Sequence, residues 1–408
     1  MIDPRPTALV GPSCPQLAPE LARLRVAIVH HWFIRQGGAE RVIEAMCLLF
    51  PQADIFTLVR TPQFMPAWLK NHKLTHSWAQ KIPFAWRWHR FLLPLYPFAL
   101  ESLDLDAYDL VISSESGPAK GVLTRARTLH ICYCNTPMRY LWEMCHAYSR
   151  RLKPAWLARP FYRICAPALR LWDVVASARV DEFIAGSHNA AGRIWKTYRR
   201  KSVIIHSPVA VLPLPAPEPP EDYYLVISRL VSYKRVDLAI KACGALGRRL
   251  KIVGMGEEAR GLKKLAGPTI EFLEHVTDDH VRRLLLRCRA LLFPGEEDYG
   301  LMPIEANAAG RPVIAYGRGG VRETLAGVFV GALPPPAHAT AVWFQNQTAE
   351  SLEAAILYFE KYMDCFQPAV MQAHASRFDT SIFLRHFHDF VLHKWRAFQE
   401  PASSAAGA

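Results

Sequence analysis

The stretch Leu292–Leu325, LFPGEEDYGLMPIEANAAGRPVIAYGRGGVRETL, governs the interpretation of the whole chain. The apolar residues 290–293 predict a short buried strand, and residues 301–309 predict a helix. Glycine and proline end that helix, and the run 312–316 predicts the next strand. A strand, turn, helix and strand make a βαβ unit, which places the turn 294–300 at the carboxyl edge of a parallel sheet. Open α/β sheets bind their ligands at that edge.

Two glutamates flank the start of the predicted helix. Glu297 lies in the turn, Glu305 lies within the helix, and Gly300 opens the helix between them. Gly300 lets a phosphate approach the amides of Leu301 and Met302, and the helix dipole favours its charge. Carboxylates in such places accept hydrogen bonds from sugar hydroxyls. The alternative is that Glu297 merely favours the helix start and that Glu305 is solvated.

The order of residues through this stretch resembles the donor-binding segment of the retaining glycosyltransferases of family 4. The residues that carry the resemblance are Phe293, Pro294, Glu297, Tyr299-Gly300-Leu301, Glu305, Ala309-Gly310-Arg311-Pro312-Val313-Ile314 and Gly319-Gly320. The resemblance implies an α/β protein of the GT-B fold, with two Rossmann-like doubly wound domains facing a central cleft. It also implies that Glu297 contacts the donor sugar and that Glu305 contacts the nucleotide ribose.

Composition limits the class of protein. With 408 residues, 51% apolar and 21% charged, the chain can bury two α/β cores. Its formal net charge of +13 predicts an anionic partner, such as nucleic acid, anionic lipid or a phosphorylated substrate. No apolar run approaches the roughly 18 residues that span a bilayer, so we expect a protein that is soluble or lies on a membrane surface. The nine scattered cysteines fit a reducing cytoplasm.

The chain divides at a proline-rich stretch. Residues 1–23 lack the features of a signal peptide and are predicted to be a disordered tail. We expect an N-terminal, acceptor-side Rossmann-like domain over 24–206 and a proline-rich linker over 207–221. A nucleotide-sugar-binding domain is predicted over 222–370. The GT-B resemblance implies that a helix in 371–400 returns to the N-terminal domain.

The N-terminal domain opens with a strand over 25–30, a turn ending in Gly37-Gly38 and a helix. Two glycines before a helix let the backbone approach an anion, although they could equally cap the helix. The family resemblance implies that Gly37 and Gly38 face the donor phosphates across the cleft.

The segment His130–Trp142, HICYCNTPMRYLW, is similar to one that lies beside the transferred sugar in bacterial O-antigen mannosyltransferases. This chain has Asn135 where many relatives have histidine. An amide can still donate a hydrogen bond to a sugar or phosphate oxygen. Arg139 could hold the diphosphate of an acceptor or could be a structural ion-pair partner.

Basic and aromatic residues alternate between Lys70 and Leu100. Tryptophan and arginine at this density suit a lipid headgroup interface, which favours an anionic membrane surface as a partner. The alternative is that Trp86, Phe91 and Leu92 belong to the core and that the charges are solvated. Nucleic acid could use the same residue types, but no nucleic-acid-binding motif accompanies them.

The second domain opens with a strand followed by Ser228–Lys234, SRLVSYK. Arg229 and Lys234 at a strand exit can converge on one diphosphate, which is also how this motif looks in the family. Further on, Gly254-Met-Gly256 lacks the third glycine of a dinucleotide fingerprint, which disfavours a dehydrogenase and favours a glycine turn near the nucleotide. The backbone at Val276 resembles the family's base-contacting loop.

The sequence Asp104-Leu105-Asp106 raises the question of a metal. In the other large glycosyltransferase fold an Asp-x-Asp motif follows a buried strand, whereas here it precedes one. We therefore interpret these aspartates as turn residues and expect neither a metal nor another cofactor.

The sequence as a whole predicts a retaining glycosyltransferase with Arg229, Lys234 and Glu297 as its catalytic residues. By resemblance, GDP-mannose is the favoured donor, and the acceptor is a polyprenyl-diphosphate-linked saccharide in bacterial surface polysaccharide synthesis. The protein is then expected at the inner face of the cell membrane. Two alternatives remain, a sugar-nucleotide 2-epimerase of the same fold and a non-catalytic protein that binds membrane surfaces.

Overall fold

A computed structural model describes residues 14–34, 37–89, 91–152, 154–211, 219–274, 276–331 and 333–400. The described residues form two units. The C-terminal unit is Val209–Thr380. The N-terminal unit contains the described residues before Val209 together with those from Ser381 onward.

A seven-stranded parallel sheet forms the centre of the N-terminal unit. Its strands are β1 (Val26–Phe33), β2 (Asp54–Arg60), β3 (Leu74–His76), β4 (Leu110–Glu115), β5 (Leu129–Cys134), β6 (Glu182–Ala185) and β7 (Val203–Ile204). They lie in the order β3-β2-β1-β4-β5-β6-β7, and every neighbouring pair is parallel. The α-helices before the second unit are α1 (Pro19–Ala22), α2 (Gly38–Leu49), α3 (Ala85–Trp88), α4 (Tyr96–Glu101), α5 (Cys145–Arg151), α6 (Ala155–Ala178) and α7 (His188–Tyr198). Short 3-10 helices lie at Ala67–Asn71, Trp78–Lys81, Leu93–Leu95 and Ala119–Gly121.

Both faces of this sheet are covered, as a parallel sheet requires. Along β1, Val26 and Ile28 pack into one apolar cluster, whereas Ala27 and Val29 pack into another. Alternate residues of a strand point to opposite faces, so a continuous apolar run fills two cores.

The C-terminal unit repeats the plan with a second seven-stranded parallel sheet. Its strands are β8 (Tyr224–Ile227), β9 (Leu250–Val253), β10 (Ile270–Leu273), β11 (Leu291–Phe293), β12 (Val313–Tyr316), β13 (Gly327–Phe329) and β14 (Ala341–Phe344), in the order β10-β9-β8-β11-β12-β14-β13. The helices are α8 (Val236–Ala245), α9 (Ala259–Leu265), α10 (Asp278–Arg287), α11 (Leu301–Ala308), α12 (Val321–Thr324), α13 (Ala349–Lys361) and α14 (Pro368–Ala375). Its 3-10 helices are Ser232–Lys234, Met363–Cys365 and Ser376–Phe378. Among the described helices of the chain, none combines the length and the apolar composition needed to cross a bilayer.

The stretch that governed the sequence analysis forms the predicted βαβ unit. Strands β11 and β12 pair in parallel, with α11 between them. Two doubly wound parallel sheets in one chain, each covered by helices, confirm the predicted α/β architecture of GT-B type with two Rossmann-like domains.

The last helix, α15 (Thr380–Gln399), belongs to the N-terminal unit through its apolar face. Phe383, Leu384, Phe387 and Val391 are buried in the same cluster as Ile28 of β1. The core of the N-terminal unit is therefore completed by the end of the chain.

The structure differs from two of the predicted boundaries. Residues 1–13 of the tail predicted over 1–23 lie outside the described part of the chain, whereas α1 forms within the remainder and Leu21 is fully buried in the N-terminal core. Residues 371–380 belong to the C-terminal unit, where Met371 is buried. Residues 212–218 of the predicted linker lie outside the described part of the chain. Its start is not free, because Val209 exchanges backbone hydrogen bonds with Phe378 and Thr380 at 3.0 and 3.1 Å.

We expect Phe387→Ala to destabilise the N-terminal unit by about 3–5 kcal/mol, because it removes a fully buried ring from the core. Urea unfolding followed by tryptophan fluorescence suits this test, since every tryptophan except Trp343 lies outside Val209–Thr380. The matched control is Arg385→Ala, an exposed position on the same helix, which we expect to shift stability by about 0.5 kcal/mol or less. Equal unfolding midpoints for the two variants would contradict the packing of α15 described above.

Candidate active site

The strand order of the C-terminal sheet reverses between β8 and β11. From β8 the chain winds outward through β9 to β10 and then returns to the other side of β8 at β11. In doubly wound sheets, the loops at the carboxyl ends of two such strands diverge and leave a crevice for a ligand. Here these loops are residues 228–235 and 294–300. They contain Arg229, Lys234 and Glu297, the three residues predicted to be catalytic.

Arg229 is exposed and is held by a neighbour in its own loop. Its Nη2 donates a hydrogen bond to the hydroxyl of Tyr233 at 2.7 Å. A guanidinium carries five N–H donors, so this bond leaves others for an anion. The sequence analysis did not select Tyr233, although a tyrosine four residues beyond an arginine in one tight loop is a usable signal.

Lys234 and Glu297 join the two loops. Lys234 Nζ donates a hydrogen bond to Glu297 Oε1, and the two side chains are only 14% and 22% exposed. The same Nζ lies 5.8 Å from the centroid of the Phe293 ring. A carboxylate has two oxygens, so the second oxygen of Glu297 can still accept a hydrogen bond from a sugar hydroxyl. The structure thus shows that Glu297 orients Lys234, the lysine predicted to bind diphosphate.

Glycines allow the close contacts that hold Glu297 in place. A Cβ on Gly295 would lie 2.9 Å from the Cα of Lys234, and a Cβ on Gly319 would lie 2.3 Å from the carbonyl oxygen of Glu297. Gly319 also adopts a φ of +76°, and the N–H of Gly320 donates to that same carbonyl at 2.8 Å. Larger residues at these glycines would displace the turn, because the atoms that they would meet belong to the backbone.

Helix α11 begins beside this turn. Gly300 is its N-cap residue at a φ of +87°, and no side chain caps the helix. The amides of Leu301 and Met302 have no intrahelical acceptor, and Pro303 has no N–H to offer. Glu305 lies one turn further on the same face as Leu301, about 6 Å along the axis, and is partly buried.

Two further predicted donor-binding residues follow the outer strands of the same sheet edge. Gly254 follows β9 at a φ of +144°, and a Cβ there would lie 1.9 Å from the carbonyl oxygen of Ser228. Its backbone therefore packs on the Arg229 loop, and the next residue, Met255, accepts a hydrogen bond from Leu230 N–H at 3.0 Å. Val276 follows β10 and packs, half-buried, against the apolar core. The structure assigns Gly254 a packing role that its sequence context did not reveal.

The N-terminal sheet has its own reversal of strand order, between β1 and β4. Gly37 has an extended backbone and precedes α2, whose first residue is Gly38, while residues 35–36 lie outside the described part. Both predicted glycines therefore lie at the start of a helix near the carboxyl end of β1, as expected for a turn that approaches an anion.

Two buried histidines at the end of β1 were missed by the sequence analysis. His31 is 3% exposed, and burial together with the neighbouring His30 holds its pKa well below the usual range, so the ring is neutral. Its Nδ1 atom is buried and has no hydrogen-bond partner among the described residues. Gly117, after β4, packs against this ring, since a Cβ there would lie 3.0 Å from His31 Cγ. Nothing in the local sequence distinguishes these histidines from core residues.

The two predicted acceptor-side residues lie after β5. Asn135 is anchored to the end of β4, because its backbone N–H and its Nδ2 both donate to the carbonyl oxygen of Glu115, at 2.8 and 3.2 Å. Arg139 Nε lies 3.5 Å from Glu143 Oε2, and Glu143 is also bound by Arg193 at 2.5 Å. Of the two interpretations of Arg139, the structure shows the ion pair.

A buried charged cluster includes Glu115, the residue whose carbonyl oxygen anchors Asn135. Lys120 Nζ binds Asp173 and lies 3.2 Å from Glu115, and all three side chains are fully buried. Asp173 also accepts hydrogen bonds from Trp142 at 2.7 Å and Tyr198 at 2.9 Å. Burial raises the pKa of Glu115 to about 7, although Lys120 opposes this shift. Burial lowers the pKa of Lys120, but the two carboxylates outweigh it and raise the pKa overall.

The aspartates near residue 105 lie in a turn. Asp104 Oδ1 accepts the N–H of Asp106 at 3.0 Å, and Asp106 forms an ion pair with Arg125. Within the described residues, no group of three or more His, Cys, Asp or Glu side chains is placed to hold a metal ion. All nine cysteines are described, and none forms a disulfide.

A known protein family matches the segment of the chain that contains the candidate site. Residues 215–362 match the family model described as "Glycosyl transferases group 1". The matched range contains Arg229, Lys234, Glu297 and Glu305 and all strands of the C-terminal sheet. A search of curated proteins finds no match.

Solved structures extend the likeness to both units. Anabaena Alr3699/HepE, in a complex with UDP-glucose, is similar with a TM-score of 0.62 and 14% identity, over 91% of this chain and 100% of that chain. A glycosyltransferase from Rickettsia africae ESF-5 is similar with a TM-score of 0.57 and 14% identity, over 93% and 100%. AviGT4, a glycosyltransferase involved in avilamycin A biosynthesis, is similar with a TM-score of 0.51 and 16% identity, over 91% and 97%. At these identities the likeness shows a shared fold.

We expect Lys120→Met to lower the stability of the N-terminal unit by about 3–5 kcal/mol, because it leaves two buried carboxyl groups without their cation. The matched control is Arg125→Met, which breaks the exposed pair with Asp106 and should cost about 1 kcal/mol or less. Thermal unfolding of both variants checks this contrast. Similar losses in the two variants would show that the buried cluster contributes little.

Proposed function

We propose that this protein is a glycosyltransferase that moves a sugar from a nucleotide diphosphate donor to a hydroxyl group of an acceptor. One observation carries the proposal: Lys234 and Glu297 are paired at the reversal of strand order in the C-terminal sheet, beside the uncapped start of α11. A cation and free helix amides suit a diphosphate, and a partly buried carboxylate suits a sugar hydroxyl. The match to glycosyl transferases group 1 over the same residues supports it.

We further propose a transfer with retention at the anomeric carbon. The bond between the sugar C1 and the diphosphate oxygen breaks, a bond from the acceptor oxygen to C1 forms on the same face, and the acceptor proton passes to the departing diphosphate. Negative charge therefore grows on the diphosphate in the transition state. Arg229, Lys234 and the amides of Leu301 and Met302 would stabilise that charge.

The proposal also concerns which nucleotide sugar is the donor and which residues bind it. The sequence resemblance to mannosyltransferases favours GDP-mannose, and Anabaena Alr3699/HepE, which is similar in fold, holds UDP-glucose. Glu305 on α11 is the residue that we assign to the nucleotide ribose, Val276 is assigned to the base, and Gly37 and Gly38 are assigned to the donor phosphates.

For the acceptor we propose a polyprenyl-diphosphate-linked saccharide of bacterial surface polysaccharide synthesis. A strongly cationic chain and its basic aromatic segment suit an acceptor that carries phosphate and lipid. We assign Asn135 and Arg139 to the acceptor side. Because Arg139 is paired with Glu143, it would orient its loop or share its charge with the acceptor rather than offer an unpaired cation.

The donor is tested by thermal shift and turnover with GDP-mannose, UDP-glucose and ADP-glucose. We expect one donor to stabilise the protein, and we expect Lys234→Met to lower kcat/KM by roughly a hundredfold or more, because it removes a cation that faces growing charge. Glu305→Gln should weaken donor binding. The controls are Lys241→Met and Glu353→Gln, which make the same changes on α8 and α13, outside the loops 228–235 and 294–300.

Three outcomes would contradict the assignment. If no donor shifts the melting temperature, or if the site variants behave as their controls do, residues 228–235 and 294–300 do not form a donor site. If a donor is converted without acceptor into a stereoisomer of equal mass, the protein is a 2-epimerase of this fold.

We also expect the transfer rate to be unchanged in excess EDTA, since cationic side chains and helix amides would neutralise the diphosphate. The measurement is transfer of labelled sugar with EDTA and with added Mg²⁺ or Mn²⁺. Activity that EDTA abolishes and a divalent ion restores would overturn the metal-independent mechanism.

A further inference from the structure

Helix α6 of the N-terminal unit exposes an apolar face. Every residue of this helix is described, and among the residues that it exposes Arg163 is the only one with a charged side chain. Leu157, Phe161, Ile164 and Leu171 follow helical spacing, and the last two are 76% and 69% exposed. A helix on the surface of a soluble protein normally shows charges to water, so a face of this kind marks an interaction site.

The opposite face of α6 is already packed. Ala166 and Leu169 are buried in the N-terminal core, and Asp173 is the carboxylate that Lys120 binds. The helix is therefore anchored through one side, and its apolar side remains open to a partner.

The charges around this helix indicate what kind of partner would bind it. From Met144 to Trp172 the sequence contains six arginines and lysines and no aspartate or glutamate. Two copies of such a surface would repel each other, whereas an anionic surface would attract it. The occupant that fits is one that combines an apolar interior with a negative boundary.

A cationic cavity of about 400 Å³ lies between α5 and α6. Arg150, Arg163, Arg170 and His146 line it, and no carboxylate does. None of the described aspartates or glutamates forms an ion pair with these three arginines. Arg170 is held in place by a hydrogen bond from its Nε to the carbonyl oxygen of Leu141 at 2.7 Å. Three arginines that line one cavity suit a phosphate group.

The basic aromatic segment identified from the sequence meets the start of α6. Phe91 and Phe161 line one apolar hollow, and each is about half exposed. Trp88 and Phe98, in the same segment, are 55% and 68% exposed. The two exposed apolar regions are thus continuous. The alternative interpretation placed Trp86, Phe91 and Leu92 in the core. Phe91 is exposed, whereas Leu92 packs against the core.

We propose that α6, the cavity beside it and the adjoining residues 84–89 and 91–98 form a docking surface for an anionic lipid bilayer. The apolar side chains enter the interface between headgroups and acyl chains, and the arginines of the cavity bind lipid phosphate. The proposal rests on the proposed function in one respect, because it places the lipid-linked acceptor at this surface of the protein. It is tested by binding alone, so it stands or fails independently of sugar transfer.

The test is co-sedimentation of the full-length protein with vesicles of phosphatidylcholine alone or mixed with phosphatidylglycerol. We expect binding that requires phosphatidylglycerol. Ile164→Glu/Leu171→Glu should weaken it at least tenfold, because charges replace the side chains that enter the interface. Leu357→Glu, at a leucine that is 48% exposed on α13, is the matched control and should bind as the native chain does.

A second pair of variants tests the cavity. Arg150→Gln/Arg163→Gln should weaken binding to the anionic vesicles by roughly thirtyfold, as expected for two cations at a charged surface. Lys241→Gln/Arg260→Gln removes the same charge from two exposed positions of the C-terminal unit and should have little effect. Thermal unfolding confirms that the variants are folded.

The proposal is wrong if the native protein does not sediment with anionic vesicles, or if both site variants bind as their controls do. It is also wrong if equilibrium sedimentation shows a dimer that Ile164→Glu/Leu171→Glu dissociates, since the apolar face then belongs to a second copy of the chain. Sugar transfer to a soluble acceptor that persists in the vesicle-defective variants would separate docking from catalysis.

Discussion

The reversal of strand order beside β8 is the constraint on which the candidate site depends. Two parallel strands whose connections leave in opposite directions cannot cover the space above their shared boundary, so a crevice remains there. In this protein a backbone contact of Gly295 with Lys234 joins the two loops that border the crevice, and contacts of Gly319 and Gly320 with residues 297–299 hold the second loop from its other side; none of the three leaves room for a side chain. The Lys234–Glu297 pair lies where these contacts bring the loops together. Glycines with little chemistry of their own therefore set the geometry of the charged groups.

The N-terminal unit uses the same sheet plan with a different means of support. Behind its β5 loop, a buried lysine and two buried carboxylates replace an apolar contact. Such a cluster contributes little net stability relative to apolar packing, but it penalises any arrangement in which one member lacks its partners. The cluster includes Glu115, whose carbonyl oxygen accepts both hydrogen bonds of Asn135, so it helps to hold that residue in one position. The buried, neutral His31 at the end of β1 is a second polar group whose free nitrogen the described residues do not satisfy.

Helix α6 reverses the usual distribution of side chains. Its buried face includes alanine and an aspartate, whereas its exposed face includes Leu157, Phe161, Ile164 and Leu171, with Arg163 as its one charged residue. Sequence periodicity alone would have turned the apolar stripe inward. The core is already filled on that side by α4 and the 3-10 segment Ala119–Gly121, together with the Asp173–Lys120 contact, which orients the helix. The result is a unit in which an exposed apolar helix face lies next to a cationic cavity.

The amino-acid sequence by itself determined the α/β class and the βαβ unit at 290–316, because apolar periodicity and glycine or proline stops act over short distances along the chain. The expectation of two domains came from the chain length, the proline-rich stretch and the family resemblance. The sequence also indicated the charged loop residues, whose order along the chain is their signal. Only the tertiary structure decided which of these residues meet. The Lys234–Glu297 contact joins positions 63 residues apart, and the Lys120–Asp173 contact joins positions 53 apart. The role of Gly254 as a packing glycine, the pairing of Arg139 with Glu143 and the outward face of α6 likewise became visible only in three dimensions. Each depends on which surfaces of the sheet are already occupied, and that information is not contained in any one segment of the sequence.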